Sequence, residues 1–526
     1  MDCRMYMFDF ASLRFLHRQE FVCLLDLLSK LGYTGLGLYI EGAFLPDGQK
    51  GAVREDVITQ EEADWIRAEA EKRGISVLPM TNVLYHMEHY LCQERYAFLR
   101  RSGPNERYLI NYEHSEAVPF ALGIIRSLAD MFHARTVHIG MDEFPFVPDE
   151  IPAIGQYIAA VTGQMLEEGL TPEIWGDMFW MEPSLTAYLP RETGIYDWNY
   201  YGHRPESLRY FHSEGFRKVI AVPSDNGWEG FTGCQRATGY LRAREDIPVA
   251  PGEVEAFLAD AVAEKADGCM LANWGNTAGR SVWFALAPAA RAGLWMQGKW
   301  DPRAGEVEQV EQALFGRITP YTSIICRLRE LQMHVAPLCH IRLPQDALYR
   351  PECMQSLLNK PADFWVDTIE MYTGALPEME DALAEWTPES QAEQYARAAL
   401  KSVVTNVRAA RALMLFSQSR TDYRRAAAVQ FSDPETFHTL LEEVEKRLVA
   451  AIEGMEASQK ERERSIADTG ITRQDLKWQQ RLIAYLQSLR NDLKGNAVEG
   501  AAAKSLPAFT EFVYRWEFGH GGYVAQ

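Results

Sequence analysis

Eight short apolar runs, separated by stretches with helical periodicity, restrict the fold of this 526-residue chain more than any other feature. Their apolar residues mostly stand at consecutive positions, as in parallel strands that are covered on both faces. We predict strands at 4–9, 35–40, 76–81, 136–140, 173–175, 194–198, 218–223 and 268–273. This pattern predicts an α/β protein with a (β/α)8 TIM barrel, and a doubly wound open sheet is the alternative.

The stretches between these runs carry signals typical of helices. Residues 20–30 place their leucines on one broad face, and similar patterns predict helices at 158–168 and 254–266. Thr59 followed by Glu62 predicts a capping box in front of a helix over 63–73. Each predicted helix therefore connects two predicted strands, as a parallel barrel requires.

The chain changes character after residue 300, where strand-like runs give way to helical periodicity. We predict helices at 396–416 and 474–493, and another that opens at the cap sequence Ser432-Asp433-Pro434. The sequence thus predicts two domains, a catalytic barrel over 1–300 and an α-helical C-terminal domain over 301–526. The second domain is expected to buttress the barrel or to form a homodimer.

Charge and cysteine usage restrict the partners. With 53 Lys and Arg against 73 Asp and Glu, the formal charge is −20, which argues against nucleic acid as a partner. The eight cysteines form no C-x-x-C pair, which favours free thiols and a cytoplasmic location. Charged residues interrupt the apolar positions of 1–21, so we expect neither a signal peptide nor a membrane partner.

The end of the fourth predicted strand carries two adjacent carboxylates, Asp142 and Glu143. Catalytic residues of a (β/α)8 barrel lie where strands end and the following loops begin. Two neighbouring carboxylates repel each other, so one pKa is expected to rise, which suits a proton donor. The structural alternative is a helix cap or a surface acidic pair.

Tryptophans recur at or just past the ends of strands five to eight, namely Trp175, Trp198, Trp228 and Trp274. Polar side chains accompany them, including Asp177 and Asn276. Indole rings stack on the C–H faces of pyranose rings, while amides and carboxylates bind hydroxyl groups. This combination favours a sugar as the ligand.

Several motifs together resemble glycoside hydrolase family 20, the β-N-acetylhexosaminidases. Residues 138–143 (HIGMDE) resemble the family's H-I-G-G-D-E signature, and residues 4–9 resemble its first-strand R-G-x-x-L-D motif. Residues 84–89 resemble the G-H-x-E-H stretch after strand three, and Trp175-Gly176-Asp177-Met178 resembles the tryptophan-acid segment after strand five. With Trp300-Asp301-Pro302, which resembles a barrel-closing W-N-P, the resemblance covers about residues 3–316.

This resemblance implies a retaining exo-β-N-acetylhexosaminidase that cleaves terminal β-linked GlcNAc, GalNAc or both. Catalysis would be assisted by the substrate, with Glu143 as general acid and base and Asp142 orienting the 2-acetamido group that forms an oxazolinium intermediate. The substrate-binding residues implied are Arg4, His86, Trp175, Asp177, Tyr196, Trp198, Tyr200, Trp228, Trp274 and Asn276.

Individual roles follow from the same resemblance. Arg4 would bind the 3- and 4-hydroxyls, and Tyr196 or Tyr200 the acetamido oxygen. His86 and His138 would hold the carboxylates. Trp175, Trp198 and Trp274 would form an aromatic wall, Asp177 would bond Glu143 or a hydroxyl, and Glu41 is a further candidate at the end of strand two.

Departures from the family pattern concern glycines and one acid. Met141 replaces the second glycine of the signature, Met5 replaces the glycine after the arginine, and Asn276 stands where many members place a glutamate. Two other functions stay open: a non-catalytic carbohydrate-binding barrel, and a metal-dependent hydrolase using His138, Asp142 and Glu143 or His86 and His89. The resemblance to family 20 implies an amino-sugar glycoside as the partner and neither metal nor cofactor.

Overall fold

The computed structural model describes residues 3–10, 17–40, 58–91, 93–101, 108–198, 205–224, 253–274, 282–334, 366–469 and 473–496. Its strands are β1 Cys3–Asp9, β2 Gly35–Tyr39, β3 Ser76–Met80, β4 Thr136–His138, β5 Thr171–Trp175, β6 Gly194–Trp198, β7 Lys218–Val222 and β8 Gly268–Asn273. They pair in chain order, and β8 closes on β1 with Met5 opposite Met270. The predicted TIM barrel is confirmed, and the open sheet is wrong.

Helices surround this barrel. In the described residues they are α1 Arg18–Lys30, α2 Gln60–Glu71, α3 Glu88–Leu91, α4 Ala117–Phe132, α5 Ile151–Glu167, α6 Asp177–Met181, α7 Pro205–Ser213, α8 Glu253–Ala263, α9 Leu286–Met296, α10 Glu306–Leu314 and α11 Tyr321–His334. The predicted capping box is confirmed, because the Thr59 side chain accepts from the Glu62 backbone and the Glu62 side chain from the Thr59 backbone.

Alternating residues of each strand face two different cores. One face points into the barrel, where Met7, Met80, Trp175, Tyr196 and Met270 pack together. The other face packs against the surrounding helices in a larger cluster, to which Tyr6 and Phe8 of β1 contribute. Because all strands run parallel, their carboxyl ends meet at one end of the barrel. The loops at that end carry the candidate site.

The chain beyond residue 334 is helical where it is described. It forms α12 Val366–Glu385, α13 Gln391–Val429, α14 Pro434–Thr469 and α15 Arg473–Asn496. The predicted helices are present, and α14 begins at Pro434, where Asp433 caps it by accepting the Thr436 N–H at 3.1 Å. None of the described helices is both long and apolar enough to span a membrane.

The helical region packs directly on the barrel. The larger core cluster runs without interruption from the barrel helices to Val407 of α13. Trp283 stacks on Tyr395 of α13 with ring centroids 5.1 Å apart. The Trp283 indole also donates to the Glu20 carboxylate of α1 at 2.6 Å. The division of the chain at residue 300 stays a prediction, since hydrophobic packing is continuous beyond it.

The titration of Glu20 makes the stability of the fold depend on pH. Burial raises the pKa of Glu20 to about 7 from its ordinary 4.5. Folding therefore favours the protonated side chain, and the stability that it contributes is complete below about pH 4.5 and lost as the pH rises through 7. We expect Glu20→Gln, which stays neutral and can still accept from Trp283, to be more stable than the parent at pH 8.

The shift corresponds to a gain on the order of 3 kcal/mol at pH 8, which vanishes near pH 4.5. Unfolding by guanidinium between pH 5 and 8 measures it. Glu71→Gln, on the exposed face of α2, is the control and should leave the pH dependence unchanged. Parallel stability curves for the parent and Glu20→Gln would contradict the assignment.

Candidate active site

The turn after β4 has an unusual backbone. Gly140, Met141 and Glu143 have φ angles of 74°, 72° and 51°, in the left-handed region that side chains disfavour. The Gly140 carbonyl accepts from the Trp175 N–H at 2.9 Å, which ties the turn to β5. A Cβ on Gly140 would lie 1.4 Å from Asn82 Oδ1, so this position requires glycine twice over.

Gly140→Ala is accordingly expected to destabilise the fold by about 2–5 kcal/mol, which combines the left-handed backbone with the overlap at Asn82. Gly169→Ala is the matched control, because Gly169 has φ 76° but nothing within 4 Å of an added Cβ. Denaturant unfolding of both variants separates the two causes. Equal losses in both would mean that Asn82 yields without cost.

Met141 stands where the H-I-G-G-D-E signature that this stretch resembles has its second glycine. It is a fully buried non-glycine residue at positive φ. Its side chain packs in the larger core cluster, between the strands and the surrounding helices. Burial of a methionine side chain is worth several kcal/mol. This exceeds the cost of the left-handed backbone conformation, which is about 1–2 kcal/mol. The packing of the Met141 side chain therefore offsets the cost of its left-handed backbone.

The turn presents Asp142 and Glu143 at the open end of the barrel. The Asp142 side chain is 11% exposed and that of Glu143 is 54% exposed, so the two acids have different surroundings. His86, from the loop after β3, places Nε2 3.2 Å from Glu143 Oε2 and 3.9 Å from Asp142 Oδ2. The structure thus places His86 within hydrogen-bond distance of Glu143 and close to Asp142.

Asp177 is the third acid of the site. Its Oδ2 accepts the Glu143 N–H at 3.0 Å, which is one of the two contacts that the resemblance implied for it. Burial first, and then repulsion from Asp142, raise the pKa of Asp177 well above its ordinary value, while the hydrogen bond from the Glu143 N–H acts in the opposite direction. The buried acid with a raised pKa thus lies beside the predicted pair.

The predicted aromatic residues converge where they are described. Trp175, Trp198 and Trp274 pack on the inner cluster of the barrel, and the Trp175 and Trp274 rings are 5.9 Å apart. Trp175 is 1% exposed, whereas the other two are half-buried. Trp175 and Trp198 end β5 and β6, so the indoles line the interior at the end of the barrel that carries the acid pair.

Arg4 does not take part in this site. Its Nε donates to the Gly32 carbonyl at 2.6 Å, and its backbone N–H donates to Thr34 Oγ1 at 3.1 Å. Both partners precede β2, so Arg4 lies at the amino end of the barrel, opposite the acid pair. The prediction that Arg4 binds the sugar hydroxyls is wrong.

The surroundings of Tyr196 and His138 also differ from those predicted. The Tyr196 hydroxyl lies 3.6 Å from Met5 Sδ and accepts from Lys218 at 3.3 Å, so it points toward the amino end and does not reach an acetamido group. His138 packs edge-on against Trp175 and accepts the Gly140 N–H at 3.3 Å. It therefore holds the backbone of the turn, not a carboxylate.

Some predicted residues cannot be compared. Tyr200, Trp228, Asn276 and Glu41, together with the His89 side chain, lie outside the described residues.

The structure adds two residues that sequence reasoning missed. Asn82 donates to the Tyr39 hydroxyl at 2.7 Å, and Tyr39 stands edge-on to Trp274 at 5.0 Å. Both lie at strand ends, which is the signal that could have identified them.

A metal ion could be held by part of the same site. His86, Asp142 and Glu143 each offer one ligand atom, and these atoms lie within 4.8 Å of one another. Imidazole and carboxylate are suitable ligands for several divalent ions. His138, which the metal alternative also named, faces the barrel interior and is not one of the three.

No family model matches the chain. A curated β-hexosaminidase of Akkermansia muciniphila is 24% identical over 196 residues, which cover 32% of this chain and 38% of the relative. The chain thus spans less than two fifths of the length of that relative.

Solved structures with detectable similarity include two glycosidases. One is a GH20 exo-β-N-acetylglucosaminidase from Vibrio harveyi, with 15% identity, 62% of this chain and 58% of that chain covered, and a TM-score of 0.44. The other is a GH20 β-N-acetylhexosaminidase from Streptomyces coelicolor, with 16% identity, coverages of 59% and 69%, and a TM-score of 0.41.

Proposed function

We propose that this chain is a retaining β-N-acetylhexosaminidase of glycoside hydrolase family 20, a proposal supported by the motifs that resemble that family and by a curated relative named β-hexosaminidase. One observation carries the proposal. His86 Nε2 lies 3.2 Å from Glu143 and 3.9 Å from Asp142, Asp177 accepts the Glu143 N–H, and these acids stand at the end of the barrel where Trp175 and Trp198 end their strands. The substrate would be a glycoside with a terminal β-linked GlcNAc or GalNAc.

Glu143 acts as the general acid in this proposal. Its half-exposed side chain suits a group that must meet both the leaving group and water. It gives its proton to the glycosidic oxygen as the bond from that oxygen to the anomeric carbon breaks. The resulting carboxylate then takes a proton from the water that attacks the anomeric carbon.

The nucleophile of the first step is the 2-acetamido oxygen of the substrate, which attacks the anomeric carbon and forms a bicyclic oxazolinium ion. Two inversions at that carbon give net retention. Asp142 would orient the acetamido group and stabilise positive charge on its nitrogen, and its near-burial 3.9 Å from His86 supports a side chain with a fixed position. The indole wall would hold the sugar ring against this pair.

A panel of chromogenic β-glycosides, with and without the 2-acetamido group, tests the proposal. We expect release of the chromophore from the acetamido sugars alone, and strong inhibition by a thiazoline that mimics the oxazolinium ion. Cleavage of plain glucosides at a similar rate would remove the assisted mechanism. Sugar binding measured by calorimetry without release from any glycoside would indicate a binding barrel instead.

A metal-dependent hydrolase is the second candidate, because three possible ligands lie together. The metal would bind where the proposed acid and its partners stand, so the two functions exclude each other. Activity that disappears on treatment with a chelator and returns with one divalent ion would favour the metal. Activity unchanged by the chelator favours the acid pair.

A further inference from the structure

His138 is a buried side chain that the proposed mechanism does not use. It is fully buried, and its ring stands edge-on to Trp175 at 4.3 Å and to Tyr196 at 5.0 Å. Its Nδ1 accepts the backbone N–H of Gly140 at 3.3 Å. This bond joins the last residue of β4 to the turn that carries the acid pair.

The turn needs such a contact because its backbone is not regular. Three of the four residues from Gly140 to Glu143 have left-handed φ angles, and they form no helix or strand that would fix them. The Gly140 carbonyl is already held by the Trp175 N–H. With the imidazole removed, the Gly140 N–H would be buried without this partner, and the turn would lose one of its contacts inside the barrel.

The imidazole can accept this bond only while Nδ1 carries no proton. Burial, followed by the positive charge of Lys218, holds the pKa of His138 well below its usual range. The ring is therefore neutral at physiological pH, with its proton on Nε2 when Nδ1 accepts.

We propose that His138 is a positioning residue of the reaction: through the Gly140 N–H it fixes the turn and thereby the places of Asp142 and Glu143. It acts through the backbone and does not touch the sugar. The inference rests on the proposed function, because a position matters only where these two acids react. Small displacements of catalytic groups reduce rates strongly while substrate binding changes little.

Two substitutions of one residue test this role. In His138→Asn the side-chain oxygen can stand close to the place of Nδ1 and accept the Gly140 N–H, whereas His138→Leu keeps an apolar volume without an acceptor. We expect His138→Leu to lower kcat for an aryl N-acetylglucosaminide about 10–100-fold with KM within about threefold. His138→Asn should keep most of kcat. Equal kcat in the two variants would overturn the proposal.

Hydrogen–deuterium exchange of the Gly140 amide provides a readout that does not depend on activity. We expect exchange about fivefold to tenfold faster than in the parent for His138→Leu and close to the parent for His138→Asn. If His138→Leu does not fold, His138→Gln, with its acceptor one bond farther out, is expected to show the same acceleration. Unchanged exchange in the variant without a correctly placed acceptor would refute the contact.

The two measurements also separate this inference from the proposed function. A parent protein that cleaves no glycoside, but in which the exchange rates follow the expected order, would sink the proposed function and support the His138 contact. Full glycosidase activity with identical exchange in all variants would do the reverse.

Discussion

The Glu143→Gln variant is expected to hydrolyse an alkyl N-acetyl-β-glucosaminide about 10²–10⁴-fold more slowly than the parent, the range that general acid catalysis typically supplies. Glutamine has nearly the same shape and can still lie beside His86, but it has no proton to give to the leaving oxygen. An alkoxide is a poor leaving group, so the whole contribution of the acid is lost with this substrate.

A series of aryl glycosides distinguishes lost acid catalysis from a damaged site. As the pKa of the leaving phenol falls, protonation matters less, and the deficit of Glu143→Gln in the bond-breaking step should shrink. The matched control is Glu167→Gln, on the exposed side of α5, which should behave as the parent. A deficit that is the same for all leaving groups would remove Glu143 as the proton donor.

Sequence reasoning located the strands well because buried parallel strands leave a strong pattern. β6 and β8 have the bounds predicted for them, and most of the others differ by one or two residues. β4 ends two residues early, at His138, because Gly140 and Met141 turn left-handed. Such a turn depends on contacts with Asn82 and β5, which are distant in sequence and invisible in the pattern.

The errors in the site have a different cause. A motif gives the spacing of residues along a strand. It does not show at which end of the barrel each side chain lies. Arg4 stands near the start of β1 and Asp9 at its end, so the two lie at opposite ends of the barrel. Tyr196 and Trp198 share the inner face of β6, yet only the tryptophan lies at the carboxyl end.

The acids and the described indoles lie at the predicted end of the barrel because they follow the strands directly. Trp175 ends β5 and Asp177 comes two residues later. Both therefore lie at the open end of the barrel, independently of the conformation of the loops. His86 illustrates the limit of this rule, since it lies six residues past Met80 and is brought back by a backbone with φ 55°. The motif resemblance, not the position rule, pointed to it.

Asp142→Asn is expected to lower kcat/KM for N-acetylglucosaminides about 10²–10³-fold, as does the loss of one preorganised charge in other sites. Because Asp142 assists the attack of the acetamido oxygen, the loss should persist with a 2,4-dinitrophenyl leaving group, for which protonation is unimportant. Removing its charge also removes a repulsion that raises the pKa of Asp177, so that pKa should fall.

Kinetics across a pH series measure the loss of rate, and difference infrared spectroscopy follows the Asp177 carboxyl. Asp149→Asn, on an exposed position of the same loop, serves as the control for a lost surface charge. If Asp142→Asn matched the parent on the activated substrate, the acetamido group would need no help from this residue. The chemistry of the pair would then rest on Glu143 alone, and the near-burial of Asp142 beside His86 would be explained by the packing of the turn.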